Sequence, residues 1–425
     1  MLTRHAPLGL ALLTTAALGA CGGNAGPEGA AAASASAPAS ASAPARPRAA
    51  CGRPLTLWPA LKGDELRYAA ERARDFARQS GVAVEVVDVP FDELRQRFVQ
   101  ASAAGAPPDM LYGPNDWGGA FAEAGLVADL DGRLDAKKYF DLTAKAASYR
   151  GKLIGVPESF EVVTQYYNAA LLPGGLARLD EGAAAAGKVP PGRYVLAYEA
   201  SSSYFSVAFL HAVGGQLFDE EGNFILDEGA ATRWLALLKK VKQAGGMPKD
   251  GRGATAKALF LEGRVGAYFS GPWDLADIKR ARGSDWQLAK LPAAGLGEAK
   301  PFLGVKLLYV SSKSPCVEAA LAFAESLSGL DAELEWVKAV NPAHLPALSA
   351  VYRDASVREN AAVQSFLLQA ESSVPFPNAP ALGEVWGPAD EAIKAVLERG
   401  TPPAAAAKKM LAAIRANLRA LTPAR

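Results

Sequence analysis

In the first part of the globular region, short apolar runs alternate with longer amphipathic stretches. This pattern predicts strands and helices in alternation. Short apolar runs predict strands at residues 55–58, 82–87 and 110–112. Amphipathic stretches predict helices between them, at residues 64–80 and 92–104. This order is typical of a parallel α/β unit with right-handed crossovers. Ligands of such sheets bind beyond the carboxyl ends of the strands, here residues 58–63 and 113–117.

The segment 149–168, with the sequence YRGKLIGVPESFEVVTQYYN, divides the chain. Apolar runs at 153–156 and 162–167 predict two strands. Pro157 predicts a break between them, because proline donates no ladder hydrogen bond. We expect this segment to cross between two lobes, with Glu161 facing a cleft and Glu158 in solvent.

The alternation of elements continues after this crossing. Predicted strands lie at 193–198, 265–270 and 302–311, and the last is a candidate for a second crossing. Predicted helices lie at 204–213, 230–244, 254–262, 317–328, 332–340, 384–399 and 404–420. We assign Trp58 and Trp234 to the hydrophobic core.

A chain of 425 residues is longer than one hydrophobic core serves, which predicts two domains. We expect the N-terminal lobe to comprise residues 51–160 and 305–358, and the C-terminal lobe residues 161–304 and 359–425. The predicted fold class is α/β, with two α/β lobes joined by a hinge of more than one segment.

The first fifty residues have the composition of a leader and a tether. Arg4 precedes a short apolar run, so residues 1–20 predict a signal peptide. The sequence Leu18-Gly19-Ala20-Cys21 resembles a bacterial lipobox, which predicts lipidation of Cys21; ordinary secretory cleavage before a chance cysteine is the alternative. Residues 21–50 are rich in Ala, Ser and Pro and predict a disordered tether. We therefore expect an extracytoplasmic, lipid-anchored protein.

Charge and histidine content exclude some functions. The formal net charge of +1 favours neither nucleic acid nor a polyanionic partner. Three histidines in the whole chain argue against a histidine-based catalytic or metal centre, so we predict no cofactor and no metal. Cys51 and Cys316 either pair in the exported protein or are two unrelated thiols, because sequence does not fix connectivity.

A glycine-rich stretch resembles part of a nucleotide site. Residues 182–188, GAAAAGK, match the start of a phosphate-binding P-loop. Val189 stands where a hydroxyl would bind magnesium, and the two prolines that follow prevent the helix that would hold phosphate. These residues predict a surface loop.

Five segments together resemble one family. They are Gly105–Trp117, Gly151–Asn168, Tyr204–Phe218, Gly271-Pro272-Trp273 and Val374–Trp386. In this order, behind a lipobox, they are similar to the maltose-binding protein group of bacterial solute-binding proteins, the sugar-receiving subunits of ABC importers. The resemblance implies a periplasmic-binding-protein type II fold whose lobes close over a sugar. It also implies a membrane permease as partner, and we expect a monomer.

The resemblance extends to individual positions. Asp116 and Glu161 match carboxylates of the family's sugar site, and Tyr204, Trp273 and Trp386 match aromatic residues that contact pyranose rings. A pyranose has an apolar face and a rim of hydroxyls, so flat rings and carboxylates suit it. Among the chain's departures from the family, two concern candidate site residues. Trp117 replaces an arginine and is expected to offer another ring, and Lys62 loosely represents a charged residue near the first strand.

Two other functions are compatible with these residues. Asp116 and Glu161 could be the paired carboxylates of a glycosidase. A protein of the same fold could bind a polyamine, iron or phosphate instead. The aromatic series favours a maltose, maltodextrin or related oligosaccharide, bound without chemical change.

Overall fold

The computed structural model describes residues 51–184, 189–219, 222–341 and 343–421. The predicted signal peptide, the tether and Cys21 lie outside the described residues, as does the end of the glycine-rich stretch, residues 185–188. The strands are β1 (Leu55–Pro59), β2 (Val84–Val86), β3 (Met110–Pro114), β4 (Ser148–Tyr149), β5 (Lys152–Leu153), β6 (Val156–Val162), β7 (Thr164–Tyr167), β8 (Tyr194–Ala197), β9 (Val265–Ser270), β10 (Gln287–Ala289), β11 (Phe302–Val310) and β12 (Val374–Pro375).

Helices cover much of the remaining described chain. They are α1 (Gly63–Ser80), α2 (Phe91–Ala103), α3 (Gly118–Glu123), α4 (Asp141–Ala146), α5 (Leu179–Ala184), α6 (Ser203–Ala212), α7 (Glu228–Gln243), α8 (Gly253–Leu261), α9 (Leu275–Arg282), α10 (Val317–Leu327), α11 (Leu330–Glu335), α12 (Ala355–Arg358), α13 (Ala361–Ala370), α14 (Gly383–Leu397) and α15 (Pro403–Leu421). Among the helices that the structure describes, none has both the length and the apolar character that crossing a bilayer requires.

The first sheet confirms the parallel unit predicted from the alternating pattern. Its strands run in the order β12-β11-β3-β1-β2, and β1 pairs in parallel with both β2 and β3. β11 adds antiparallel pairings with β3 and β6. Helix α1 ends where Gly81 adopts a left-handed conformation with φ of 79°, which glycine takes at little steric cost. The middle of β11, at Lys306, pairs with the carboxyl end of β3 at Pro114 and with β6 at Ser159.

The second sheet runs in the order β10-β7-β9-β8. β8 and β9 are parallel, whereas β7 is antiparallel to both β9 and β10. One hydrophobic cluster extends from the first sheet to one face of the second, and another joins the opposite face to α6, α7, α14 and α15. Trp234 is buried in this second cluster, as predicted, and Trp58 is partly exposed and packs against the first.

β6 and β7 connect the two sheets directly, with Val163 between them. The predicted break at Pro157 is wrong, because Pro157 lies inside β6, and the chain breaks at residues 154–155 and 163 instead. The register against β11 shifts between Lys306 and Leu307, so an extra residue bulges from β6. A bulge disrupts the ladder locally, and a proline without N–H is tolerated there.

The bulge turns Glu158 into the protein interior. The prediction that Glu158 is solvated is wrong, since it is fully buried. One of its carboxylate oxygens accepts a 2.6 Å hydrogen bond from the hydroxyl of Tyr112, and the other lies 3.0 Å from Nε2 of His344. The same nitrogen lies 2.8 Å from a carboxylate oxygen of Glu333 on α11. Trp336 stacks on the imidazole at a centroid distance of 4.5 Å.

Glu158, Glu333 and His344, here called the buried triad, are also close enough to share a metal ion. We interpret the triad as an ion cluster, because the nitrogen–oxygen distances are those of hydrogen bonds. Burial lowers the pKa of His344, but the two carboxylates raise it well above its usual value. Burial and the charge of Glu158 raise the pKa of Glu333 to about 8. The imidazolium thus neutralises Glu158 in the core.

Cys51 and Cys316 form a disulfide, with Cα atoms 5.6 Å apart. The bond joins the segment before β1 to the start of α10. Asp109 stands beside it, accepting hydrogen bonds from Arg53 at 2.7 Å and from Ser314 at 2.5 Å. The segment before β1 is therefore held to the start of α10 by the disulfide, and both are held to the buried carboxylate of Asp109 by hydrogen bonds.

Candidate functional site

A cavity of about 260 Å³ opens where β3, β6 and β11 meet α6 and the turn after β9. We call it the main cavity. It is lined by Pro114, Asn115, Asp116, Glu161, Tyr204, Trp273, Gly304, Val305, Lys306 and Phe376. Four of the residues predicted from the sequence, Asp116, Glu161, Tyr204 and Trp273, thus converge on one space.

Asp116 reaches the main cavity because its neighbour Asn115 is held on both sides. The side-chain amide of Asn115 donates to the carbonyl of Phe376 at 3.0 Å, and its oxygen accepts from the amide of Val305 at 3.0 Å. Burial raises the pKa of Asp116 to about 6, although the positive charges of Arg95 and Lys306 oppose the rise. This carboxyl therefore titrates close to neutrality.

Glu161 is the last cavity residue on β6 before the chain crosses to the second sheet. One of its carboxylate oxygens lies 3.3 Å from the ammonium of Lys306 on β11. Sequence reasoning missed Lys306. The signal available was a single charged residue inside the apolar run of β11, which indicates a strand position facing a cavity.

Tyr204 stands at the start of α6, and a carboxylate from another helix fixes this end. Asp390 on α14 accepts hydrogen bonds from the amide and the hydroxyl of Ser203, at 2.7 and 2.6 Å. Such a carboxylate satisfies donors that a helix start leaves open. Burial, with the charges of Glu161 and Asp116, raises the pKa of Tyr204, so its phenol stays neutral.

Trp273 lies in the turn between β9 and α9 and is 42% exposed. Its ring lies against Gly271, where a Cβ atom would stand 2.1 Å from the indole. Asp274 anchors the turn by accepting from Tyr268 at 2.7 Å and Ser270 at 2.6 Å. This turn places the partly exposed indole in the wall of the main cavity.

Three predicted site residues do not line the main cavity. Trp386 stacks on Phe376 with ring centroids 5.9 Å apart, and Phe376, which sequence reasoning missed, lines the cavity in its place. Trp117 is buried and packs against Phe91, with its ring over Gly113. Lys62 is exposed at the start of α1.

A second cavity of about 180 Å³ adjoins the first through Trp273, which lines both. Its polar wall includes Glu199, Lys257 and Asp274. Lys257 bonds Asp274 at 2.8 Å, so much of this wall is satisfied within the protein. The main cavity therefore has the better set of groups for binding a ligand.

The pKa of Asp116 predicts how binding depends on pH. A ligand hydroxyl donates to an ionised carboxylate, so affinity is expected to be full well above pH 6, to decline as the pH approaches about 6, and to fall up to tenfold per pH unit below it. Calorimetric titration between about pH 7.5 and pH 4.5 measures this change. The Asp116→Asn variant should bind more weakly with a flatter profile. A flat wild-type profile would contradict this role.

The main cavity combines an open indole, a neutral phenol and two carboxylates at the junction of two sheets, which defines a protein that binds a polar solute between two α/β halves. Residues 71–365 match the family model of the bacterial extracellular solute-binding proteins, and the chain belongs to this family.

Individual relatives agree with this assignment. A maltotriose-binding protein of Pyrococcus abyssi is 26% identical over 82% of this chain and 79% of its own length. A galactooligosaccharide-binding protein of Bacillus subtilis is 27% identical over 76% of this chain and 79% of its own. The solved maltose-maltodextrin binding protein of Alicyclobacillus acidocaldarius is 29% identical, with a TM-score of 0.75 over 85% of this chain and 100% of that one. The predicted family resemblance and the type II fold are thereby confirmed.

Proposed function

We propose that this protein is the substrate-binding subunit of a carbohydrate ABC importer and binds a maltodextrin-type or related oligosaccharide in the main cavity. The observation that carries the proposal is the grouping of Tyr204, Trp273 and Phe376 with Asp116 and Glu161. Rings cover the apolar faces of a sugar, and carboxylates accept from its hydroxyls. The names of the relatives point to the same ligand class.

The proposed mechanism is closure without chemistry. The lobes, with the boundaries predicted from the sequence, would hinge at β6–β7 and close over the sugar, because only the closed state gives it contacts from both halves. The closed protein would then deliver the sugar to the permease.

A lipid on Cys21 would keep the protein beside the membrane on the extracytoplasmic side. A Cys21→Ser variant that stays in the membrane fraction would contradict the anchor.

A ligand panel tests the function directly. Thermal unfolding is measured with maltose, maltotriose, maltotetraose and a galactooligosaccharide, with a polyamine and phosphate as non-sugar controls. A ligand at about one hundred times its dissociation constant stabilises the protein by about 2.7 kcal/mol. If a non-sugar control stabilises the protein and none of the sugars does, the proposal is refuted. Turnover of a chromogenic glycoside would favour the glycosidase alternative, in which Asp116 and Glu161 are catalytic.

Trp273→Ala is expected to weaken sugar affinity at least about tenfold, because it removes a stacking face and its buried area. Calorimetric titration gives the dissociation constant, and circular dichroism checks the fold. Trp286→Ala is the matched control, since Trp286 packs on Tyr166 and lines neither cavity described above. Equal losses in the two variants would show a general packing effect and would remove Trp273 from the site.

A further inference from the structure

Lys306 is a charged residue in the middle of the largely buried strand β11. Its neighbours Val305 and Leu307 are 1% and 0% exposed. It pairs with Pro114 of β3 on one side and with Ser159 of β6 on the other. Its side chain therefore enters the main cavity from the floor formed by the first sheet, where the bulge in β6 begins.

The ammonium of Lys306 stands among groups that attract it. It lies 3.3 Å from Glu161 and 5.9 Å from the centroid of the Phe91 ring. Its charge also acts on Asp116, because it opposes the rise in the pKa of that carboxyl. The lysine and Glu161 side chains are 20% and 31% exposed, so solvent screens their interaction only in part.

The residues lining the main cavity carry two negative charges, on Asp116 and Glu161, and one positive charge, on Lys306. Arg95 acts on Asp116 from outside the lining, and Glu65 lies within electrostatic range of Glu161. Lys306 is thus the positive group that directly faces a ligand. Without it, the two carboxylates would face the ligand with no cation in the lining.

We infer that Lys306 sets the charge class of the ligand and suits the main cavity to uncharged sugars. Its ammonium donates to hydroxyls while it balances Glu161, and it repels an amine placed beside it. A cavity with both carboxylates and no lysine would instead favour a sugar that carries an amine. This inference rests on the proposed function and adds the specificity of the same site.

The test compares maltotriose with a set of monoamino maltotrioses, each having one hydroxyl replaced by an amine. Dissociation constants are measured for the wild type, Lys306→Met and Lys306→Arg. Lys152→Met is the matched control, because Lys152 also pairs with a carboxylate, Asp129, on the exposed surface. Thermal unfolding of each variant shows that the fold is retained.

In Lys306→Met, the affinity for maltotriose is expected to fall at least fivefold. The ratio of the amino-sugar dissociation constant to that of maltotriose should fall at least tenfold for one analogue or more. Lys306→Arg and Lys152→Met should keep the wild-type ratios. If the wild type binds maltotriose but the ratios of dissociation constants are unchanged in Lys306→Met, the inference is overturned and the proposed function stands. A wild type that binds no sugar would overturn the proposed function and the inference with it.

Discussion

Loss of the Cys51–Cys316 disulfide is expected to lower the free energy of unfolding by about 3–5 kcal/mol. The two cysteines are separated by 265 residues, so the bond removes much of the conformational freedom of the unfolded chain. We expect the hydrogen bonds of Asp109 beside the disulfide to keep the native geometry after reduction. Denaturant titration with and without a reductant measures the difference.

The double variant Cys51→Ala, Cys316→Ala is the control for this experiment. It should unfold at the same denaturant concentration as the reduced wild type and should not respond to the reductant. Sugar affinity should stay unchanged, because neither cysteine lines the main cavity. Equal unfolding midpoints for the oxidised and reduced wild type would contradict the prediction.

His344→Ala is expected to cost about 3–5 kcal/mol of stability at pH 7, because it leaves the carboxylate of Glu158 buried without its cation. Glu158 and His344 are fully and almost fully buried, so water replaces the lost partner poorly. Denaturant titration of the variant and the wild type gives the difference. His211→Ala serves as the control for the loss of a histidine side chain, since His211 belongs to α6 and lies outside the triad.

The triad also predicts how stability depends on pH. The folded state raises the pKa of Glu333 to about 8 and that of His344 well above 6.5, so it binds more protons than the unfolded state near neutrality. Stability should therefore fall as the pH rises from about 6 to about 8.5. Glu333→Gln cannot ionise and should flatten this slope. A wild-type stability that rises across this range would contradict the protonation states assigned here.

Local signals were sufficient for most of the fold. Apolar runs predicted β1, β3 and β9, of which β3 and β9 are buried on both faces, and amphipathic spacing predicted α1, which buries one face. The continuity of β6 through Pro157, and the bulge beside it, were not predictable in this way. They depend on the register of β6 against β11, a strand far along the chain, and not on Pro157 itself.

The candidate site likewise combines residues that local sequence predicts with residues whose roles depend on distant segments. Asp116 and Trp273 follow strand ends, which is where ligands of α/β sheets bind, and the family resemblance named them. Lys306 lies inside a strand, and its role depends on Glu161 arriving beside it. No local pattern marks Glu158 as buried, because its partners Tyr112 and His344 come from distant segments. Pairings between distant segments, which no local pattern contains, account for these errors.

The exposure of Trp273 has a practical consequence. The chain has seven tryptophans, and Trp273, which is 42% exposed, is the most exposed of them. Its indole should emit at longer wavelength than the buried ones, and a molecule that covers it should shift that emission to the blue. The protein thus carries its own optical reporter, and fluorescence titration can follow occupancy of the main cavity without any attached dye.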